Sequence, residues 1–467
     1  MLTCRQLAIA LAVFVPLACG DDGSQSSGQA SASGTQTTSS TAPATTPGTT
    51  ADLPTTGGSG TSGDSGGTTS AASTDAASTD ATSTAAVSDG STSAPKFDLG
   101  LQPDIGGGGC GGGGMGTPEF SYIWIANSAQ GTISKIDTQT LEEKGRYIVR
   151  PDSAGSPSRT SVNLSGDVAV ANRLGGVTKV YADPKDCQES NGMPGIQTST
   201  DNNPLPWGVE ECIAWYTPFP YSTQRPVAWA PGELQPDCTY KNEKLWTAGG
   251  QNNVTNSLVV NRLNGDTGVV EDTIPMPDVP IGYFGAYGGA VNQDGDFWFI
   301  IYDVVPSHLV RVDAVTLQYE KWVVPPGICP YGFTVDNKGR PWIGSFCQAS
   351  VRFDPDTQQW DTFPVLGYGI QQDALGRMWI ADFSLPGLRE IDSETLAVGK
   401  SIALPSFTVK GVSVDFYGYV WVVDMSSSAF RVDVTTDQVQ TYAGLDGPYT
   451  YSDMTGWGLS NVAFPQG

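Results

Sequence analysis

Asp336-Asn337-Lys338-Gly339-Arg340-Pro341-Trp342 is one of four copies of a single phrase: Asp or Asn, two residues, Gly, two residues, Trp. The others are Asn292-x-x-Gly295-x-x-Trp298, Asp373-x-x-Gly376-x-x-Trp379 and Asp415-x-x-Gly418-x-x-Trp421. Their Trp residues are 44, 37 and 42 positions apart, the period of one four-stranded propeller blade. Asp and Gly at this spacing are turn chemistry, and the Trp then starts the buried face of a strand. The phrase is therefore read as the hairpin between the first and second strands of a blade.

A second phrase follows each copy: a basic residue, an apolar one, Asp, and Thr three positions later. Lys135-Ile136-Asp137-x-x-Thr140, Arg311-Val312-Asp313-x-x-Thr316, Arg352-Phe353-Asp354-x-x-Thr357 and Arg431-Val432-Asp433-x-x-Thr436 are full copies. Ile391-Asp392-x-x-Thr395 has Glu390 in the basic slot, and Arg262-Leu263-Asn264 and Lys179-Val180-Tyr181 are weaker versions. Seven occurrences predict an all-β, seven-bladed β-propeller, with this phrase closing the third strand of each blade. The first blade opens on its second strand, Tyr122–Ala126, so its first strand must come from elsewhere. Trp457–Val462 matches Tyr331–Asp336 in pattern and is the candidate for closing the ring, which would remove exposed sheet edges. Two interruptions stand out: residues 182–224, read as a long loop before the third blade, and residues 231–243, which widen that blade's first turn. Trp207, Trp215, Tyr283 and Phe284 are placed in such connections.

The chain divides by composition into 1–19, 20–117 and 118–467. Residues 20–117 are mostly Ser, Thr, Gly, Ala and Asp, and cannot bury enough apolar surface to offset ordering entropy, which predicts a disordered tether. Arg5 and the short apolar run Leu7–Val15 read as an export signal. Pro16-Leu17-Ala18-Cys19 resembles the bacterial lipoprotein cleavage site, although Pro16 departs from the usual Leu. The resemblance implies lipidation at Cys19 and a place in the cell envelope, at the outer membrane facing periplasm or exterior, with plain secretion as the alternative.

Six cysteines follow Cys19, which in an exported chain implies three disulfides. Cys329 and Cys347 flank the Asp336–Gly339 turn symmetrically and would face each other across its hairpin. Spacing alone assigns no partners to Cys110, Cys187, Cys212 and Cys238. Zinc is not expected, because no CxxC pair or His partner accompanies them. The formal charge is −24; residues 1–115 hold nine Asp with Arg5 and Lys96, leaving 39 acids against 22 bases, a net −17, for the remainder. Such a surface argues against nucleic acid, and leaves the lipid anchor as the only membrane contact.

Tyr331-Gly332-Phe333-x-x-Asp336-x-x-Gly339-x-x-Trp342-Ile343-Gly344 and its neighbours resemble the virginiamycin B lyase (streptogramin lyase) family over most of residues 119–465. That resemblance implies a seven-bladed propeller and, for an enzymatic member, elimination of a depsipeptide ester using Mg²⁺ with His and Glu in the central cleft. The chain departs from it at the chemistry. It has one histidine, His308, placed in the outer half of a blade, so no general base of that kind is present at the channel. The position three after the blade Trp, often Glu in the lyases, holds Asn127, Ser345, Asp382 and Asp424 here. Asp382 and Asp424 are the candidates for a catalytic or cation-holding carboxylate.

In a propeller the start of the first strand and the end of the second share one channel mouth. Tyr287, Tyr331, Tyr368, Lys410 and Trp457 are placed there with Asn127 and Asn172. Aromatics beside amides suit a polar organic molecule, a glycan or a peptide. Two functions remain open: a tethered binding propeller, and a metal-assisted lyase with diverged residues. Three other signals carry no chemistry. Asn292–Asp296 lacks the closing Glu of a calcium loop, Gly106–Gly114 lacks a flanking strand and helix, and one histidine excludes a Ser-His hydrolase.

Overall fold

The computed structural model describes residues 121–236 and 240–464. The export signal, Cys19, the tether, Cys110 and Cys238 lie outside these residues. The Asp-x-x-Gly-x-x-Trp phrase folds as its chemistry requires. Asp336 Oδ1 accepts the N–H groups of Lys338 at 3.0 Å and Arg340 at 2.9 Å, which builds the turn. Gly339 supplies the left-handed residue the turn needs, at φ 76°. Asp336 Oδ2 then accepts the Trp342 indole N–H at 2.9 Å. Asp373–Trp379 and Asp415–Trp421 repeat the bond, each at 2.8 Å. One carboxylate thus satisfies a turn and a buried indole together, which explains the spacing. In the fourth blade Asn292 replaces Asp, its amide donates to Asp296, and the buried Trp298 nitrogen has no acceptor among the described residues.

Among the described residues seven antiparallel blade sheets result, six of four strands and the first of three, beside one small two-stranded hairpin. The inner strands of blades two to seven are Pro157–Val162, Thr223–Ala230, Ala286–Val291, Pro330–Val335, Gly367–Gln372 and Val409–Val414. The basic slot of the second phrase now has a role. In five blades its side chain crosses to the next blade and donates to the carbonyl just past that blade's third-strand corner, whereas Arg311 pairs with Asp296 of its own blade. Lys135 reaches Ala182 O at 3.2 Å, Lys179 reaches Gly265 O at 3.4 Å, and Arg262 reaches Ala314 O at 2.6 Å. Arg352 reaches Ser393 O at 2.5 Å, and Arg431 crosses the seam to Gln139 O at 2.6 Å. Glu390 cannot donate and turns instead to the outer strand of its own blade, accepting from the Lys400 N–H.

Blade one is completed by a different segment from the one the pattern suggested. Residues 448–454, not 457–462, run along Tyr122–Asn127. Pro448 bridges Asn127, Tyr449 N–H donates to Ala126 O at 3.1 Å, and Trp124 N–H donates to Met454 O at 2.8 Å. Ser452 clasps blade two, its hydroxyl donating to Thr160 O at 2.6 Å and accepting from Thr160 N–H at 3.0 Å. Trp457–Ala463 is a helix. Gly456 turns the chain at φ 87°, and half-buried Asp453 accepts the N–H groups of Gly456 and Leu459, both at 3.1 Å. These are the amides that a helix start leaves unpaired, so the carboxylate favours helix over strand. The helix seats at the turn end of the channel, where Trp457 donates to Gln372 O at 2.8 Å.

The long insertion is also relocated. Ile213–Thr217 is the outer strand of blade two, so the insertion runs from residue 181 to 212 inside that blade and is closed by Cys187–Cys212. Trp215 sits in this strand and donates to Gly265 O at 3.0 Å, rather than in a connecting loop. The widened first turn of blade three is observed, with a small hairpin of Glu233–Leu234 and Tyr240–Lys241. Cys329–Cys347 joins the ends of the blade-five hairpin as expected, with Cα atoms 5.2 Å apart. Among the described residues no helix is long and apolar enough to cross a membrane.

Blade seven differs from five and six in one electrostatic detail. Arg340 and Arg377 each pair with the turn Asp of their blade, whereas Tyr419 stands in that place beside Asp415. Burial, unopposed by an adjacent cation of this kind, pushes the Asp415 carboxyl up to about 7. The folded state therefore holds a proton that the unfolded chain releases near pH 3.8. The stabilisation is complete below that pH and is lost as pH rises toward about 7. The denaturant midpoint of the native chain is expected to fall relative to Asp415→Asn between pH 4.5 and 7.5. A constant difference would refute the assignment.

Candidate functional site

Six inner strands carry a register irregularity at the same end, between Pro157 and Arg159, between Gln224 and Val227, and after Ala286, Pro330, Gly367 and Val409. A bulge re-aims the residue it inserts. Here Arg225, Tyr287, Tyr331, Tyr368 and Lys410 occupy it in successive blades. The glycine after each Tyr has a separate cause. A Cβ on Gly332 would lie 1.7 Å from Tyr368 O, so only glycine lets the neighbouring inner strands approach. Tyr-Gly thus combines a channel-facing ring with a blade-to-blade contact.

Four of the expected residues come together. The Tyr331 and Tyr368 rings are 4.8 Å apart, Tyr287 and Tyr331 are 5.1 Å apart, and Lys410 Nζ lies 3.2 Å from the Tyr368 ring centre. The C-terminal segment adds Tyr449 and Tyr451. Tyr287 and Tyr331 hydroxyls both meet the Tyr449 hydroxyl, the first at 2.9 Å. Tyr451 stacks on Tyr331 at 4.8 Å and faces the Arg159 guanidinium at 3.1 Å. Arg225 lies 5.1 Å from the Tyr287 ring, and Arg173 lies 4.3 Å from that of Tyr449. Burial raises the hydroxyl pKa of Tyr331 and Tyr451 well above the phenol range, so both stay protonated.

A partly exposed collar rims this cluster. Tyr302, Phe346 and Phe383 directly follow the last residue of the second strand in blades four, five and six, and Phe284 joins them from a loop. Tyr302 stacks on Tyr287 at 4.3 Å, Phe346 lies 5.8 Å from Tyr331, and Phe383 lies 5.5 Å from Tyr368. The disulfide Cys329–Cys347 holds the chain beside Phe346.

The remaining expected residues are elsewhere or committed. Trp457 is in the helix at the opposite end of the channel, so it does not share this mouth. Asn127 is fully buried and donates to Ser134 Oγ at 2.8 Å while accepting the Asp446 N–H at 3.0 Å. Asn172 donates to Val149 O at 3.0 Å. Asp382 Oδ1 caps Ser384 and Leu385 at 2.7 and 3.0 Å, and its other oxygen takes Arg389 at 3.1 Å. Asp424 Oδ1 accepts three N–H groups, from Ser426 at 2.9 Å, Ser427 at 3.0 Å and Ser428 at 2.9 Å, and Oδ2 accepts Ser406. Both carboxylates therefore close turns. His308 opens the third strand of blade four, opposite the outer strand, and burial lowers its pKa. The Mg²⁺ that the lyase resemblance implies does not fit this donor set. Its two acids are engaged by amides, and the mouth presents cations; among the described residues no three His, Cys, Asp or Glu converge as a metal would need.

Arg159, Arg225, Tyr449, Tyr451 and the collar rings Tyr302, Phe346 and Phe383 escaped the sequence reading, whereas Phe284 was expected in a connecting loop and packs against Tyr287 and Tyr302. The collar had a signal: an aromatic four positions after the blade Trp, in Trp298…Tyr302, Trp342…Phe346 and Trp379…Phe383. Tyr449-x-Tyr451 precedes the segment expected to close the ring, and Arg159 lies in a blade without the Tyr-Gly pair.

No protein-family model matches the chain, and no curated protein matches it in sequence. Among solved structures, a functionally unknown protein from Desulfotomaculum acetoxidans is 12% identical, over 71% of this chain and 100% of that one, with a TM-score of 0.50. Virginiamycin B lyase from Staphylococcus aureus is 13% identical over 63% of this chain and 87% of its own, with a TM-score of 0.44. A streptogramin B lyase is 15% identical over 66% and 92%, with a TM-score of 0.46. At such identities the likeness is one of fold, the seven-bladed β-propeller.

Proposed function

We propose that this chain is an extracytoplasmic propeller, tethered through Cys19, that binds a polar organic, glycan or peptide ligand at the mouth rimmed by Tyr302, Phe346 and Phe383. One observation carries the reading. Tyrosines, arginines and a lysine from blades two to seven and from the closing segment converge on one channel end, while the two acids nearest in sequence pattern are spent on turns. Aromatic faces with a few fixed polar groups suit binding, and among the described residues no three His, Cys, Asp or Glu converge beside them. The two disulfides agree with an oxidising compartment.

The test is a thermal-shift and calorimetric screen of the full chain against glycans, short peptides and small organic molecules, each with and without Mg²⁺. Binding that Tyr331→Phe weakens several-fold and Phe346→Ala weakens tenfold supports the reading. Turnover of a ligand, or binding indifferent to both substitutions, overturns it. Attachment is tested separately, by incorporation of labelled fatty acid into the native chain and its loss in Cys19→Ala.

A further inference from the structure

The charge of the ligand's leading group can be read from the same mouth, an inference that rests on the binding function proposed above. Arg159 is fully buried, at 0% exposure, on the inner strand of blade two. Its Nη1 donates to Ser158 Oγ at 2.8 Å. Its Nε and Nη2 have no partner among the described residues. These two nitrogens share one edge of the planar guanidinium, the edge that a carboxylate engages through two parallel hydrogen bonds. The Tyr451 hydroxyl, on the ring against which Arg159 stacks, is also buried and has no partner among the described residues. One of these two groups can only donate, and the hydroxyl can donate beside it.

The surroundings point the same way. Arg225, Arg173 and Lys410 also face rings of the same cluster, inside a propeller whose overall balance is acidic. A buried guanidinium edge left without an acceptor is costly, and an anion there relieves the cost. Depth restricts where the rest of the ligand can lie. The cavity beyond, lined by Ser452, Asp453, Gly458 and Leu459 and backed by the C-terminal helix, has about 30 Å³ of space, enough for a water or two. That space is too small for the body of an organic ligand, whereas the collar lies one ring away: Tyr287 is 4.7 Å from the Arg159 guanidinium and stacks on Tyr302 at 4.3 Å.

We propose that the Nε/Nη2 edge of Arg159 receives the carboxylate of a small organic acid whose apolar or aromatic body rests in that collar, with Tyr451 as a third donor. Binding is non-covalent, and no bond is made or broken.

Isothermal titration of the full chain with acetate, phenylacetate and indole-3-acetate, each against its neutral amide, tests the assignment. Phenyl phosphate and inorganic phosphate serve as the tetrahedral alternatives. The aromatic acids are expected to bind at least tenfold more tightly than their amides. Arg159→Met should abolish that preference, and Arg159→Lys, which keeps the charge but loses the two-pronged edge, should weaken it about tenfold. The acid-against-amide comparison on the unaltered chain stands even if Arg159→Met does not fold. Equal binding of acid and amide, or unchanged preference in Arg159→Met, overturns the carboxylate assignment and leaves the binding function intact. So does a neutral glycan or peptide that binds while no acid does. Tighter binding of phenyl phosphate than of phenylacetate replaces carboxylate by phosphate. Absence of binding by every acid, glycan and peptide overturns both.

Discussion

A chain ended after Leu445 is expected not to form a stable propeller. The deleted residues supply the innermost run of blade one and bond both of its neighbours. Without them the backbone groups of Tyr122–Asn127 that meet Tyr449 and Met454 face an open edge. The loss of buried surface is larger still. Tyr449, Tyr451, Met454, Trp457, Leu459 and Val462 are all buried. At about 1.5–3 kcal/mol for each large apolar side chain, the loss is on the order of 10 kcal/mol, comparable with the whole stability of a domain. Expression of residues 1–445, followed by near-ultraviolet circular dichroism and thermal unfolding, checks this. A cooperative transition within a few degrees of the intact chain would show that closure is dispensable. Truncation after Phe464, which keeps both the segment and the helix, serves as the control and should unfold like the parent.

The second large effect is expected at a single carboxylate. Asp373→Ala removes acceptors from the N–H groups of Leu375 and Arg377, from the Arg377 guanidinium and from the Trp379 indole. Asp373 is 1% exposed, so the indole N–H is left buried without a partner. Breaking a buried charged network by removing one member costs about 3–5 kcal/mol. Asp373→Asn keeps an oxygen for the turn but turns an N–H₂ group toward other donors, and should cost about half as much. Denaturant unfolding at pH 7 measures both. A loss below about 1 kcal/mol for Asp373→Ala would mean that water replaces the carboxylate, and that the phrase is a turn signal only.

Much of the architecture is legible because each link is local. Asp, Gly and Trp at fixed spacing build one hairpin by bonds within seven residues, and repetition does the rest. The basic slot of the second phrase is legible as a pattern but not as a function, because its acceptor lies in the next blade. The closing segment misled for a related reason. Trp457–Val462 carries a strand-like pattern, yet Asp453 and Gly456 just before it supply the capping geometry of a helix. Periodicity did not register a carboxylate four residues upstream. At the mouth, the Tyr-Gly pairs and Lys410 were visible because blades repeat them. Arg159 and Tyr451 were not, since each breaks the repeat, and they meet only when the ends of the ring are joined.

By itself the sequence determined the blade: its turns, its buried indole, its period and the Cys329–Cys347 pair. Those features depend on neighbours close in the chain, whose geometry short-range hydrogen bonding dictates. Only the tertiary structure decided which residues close the ring, that a helix caps one end of the channel, and that Arg159 lies against Tyr451. Those contacts join positions nearly 300 residues apart, and their energy comes from burial and charge across the channel, which no local pattern encodes.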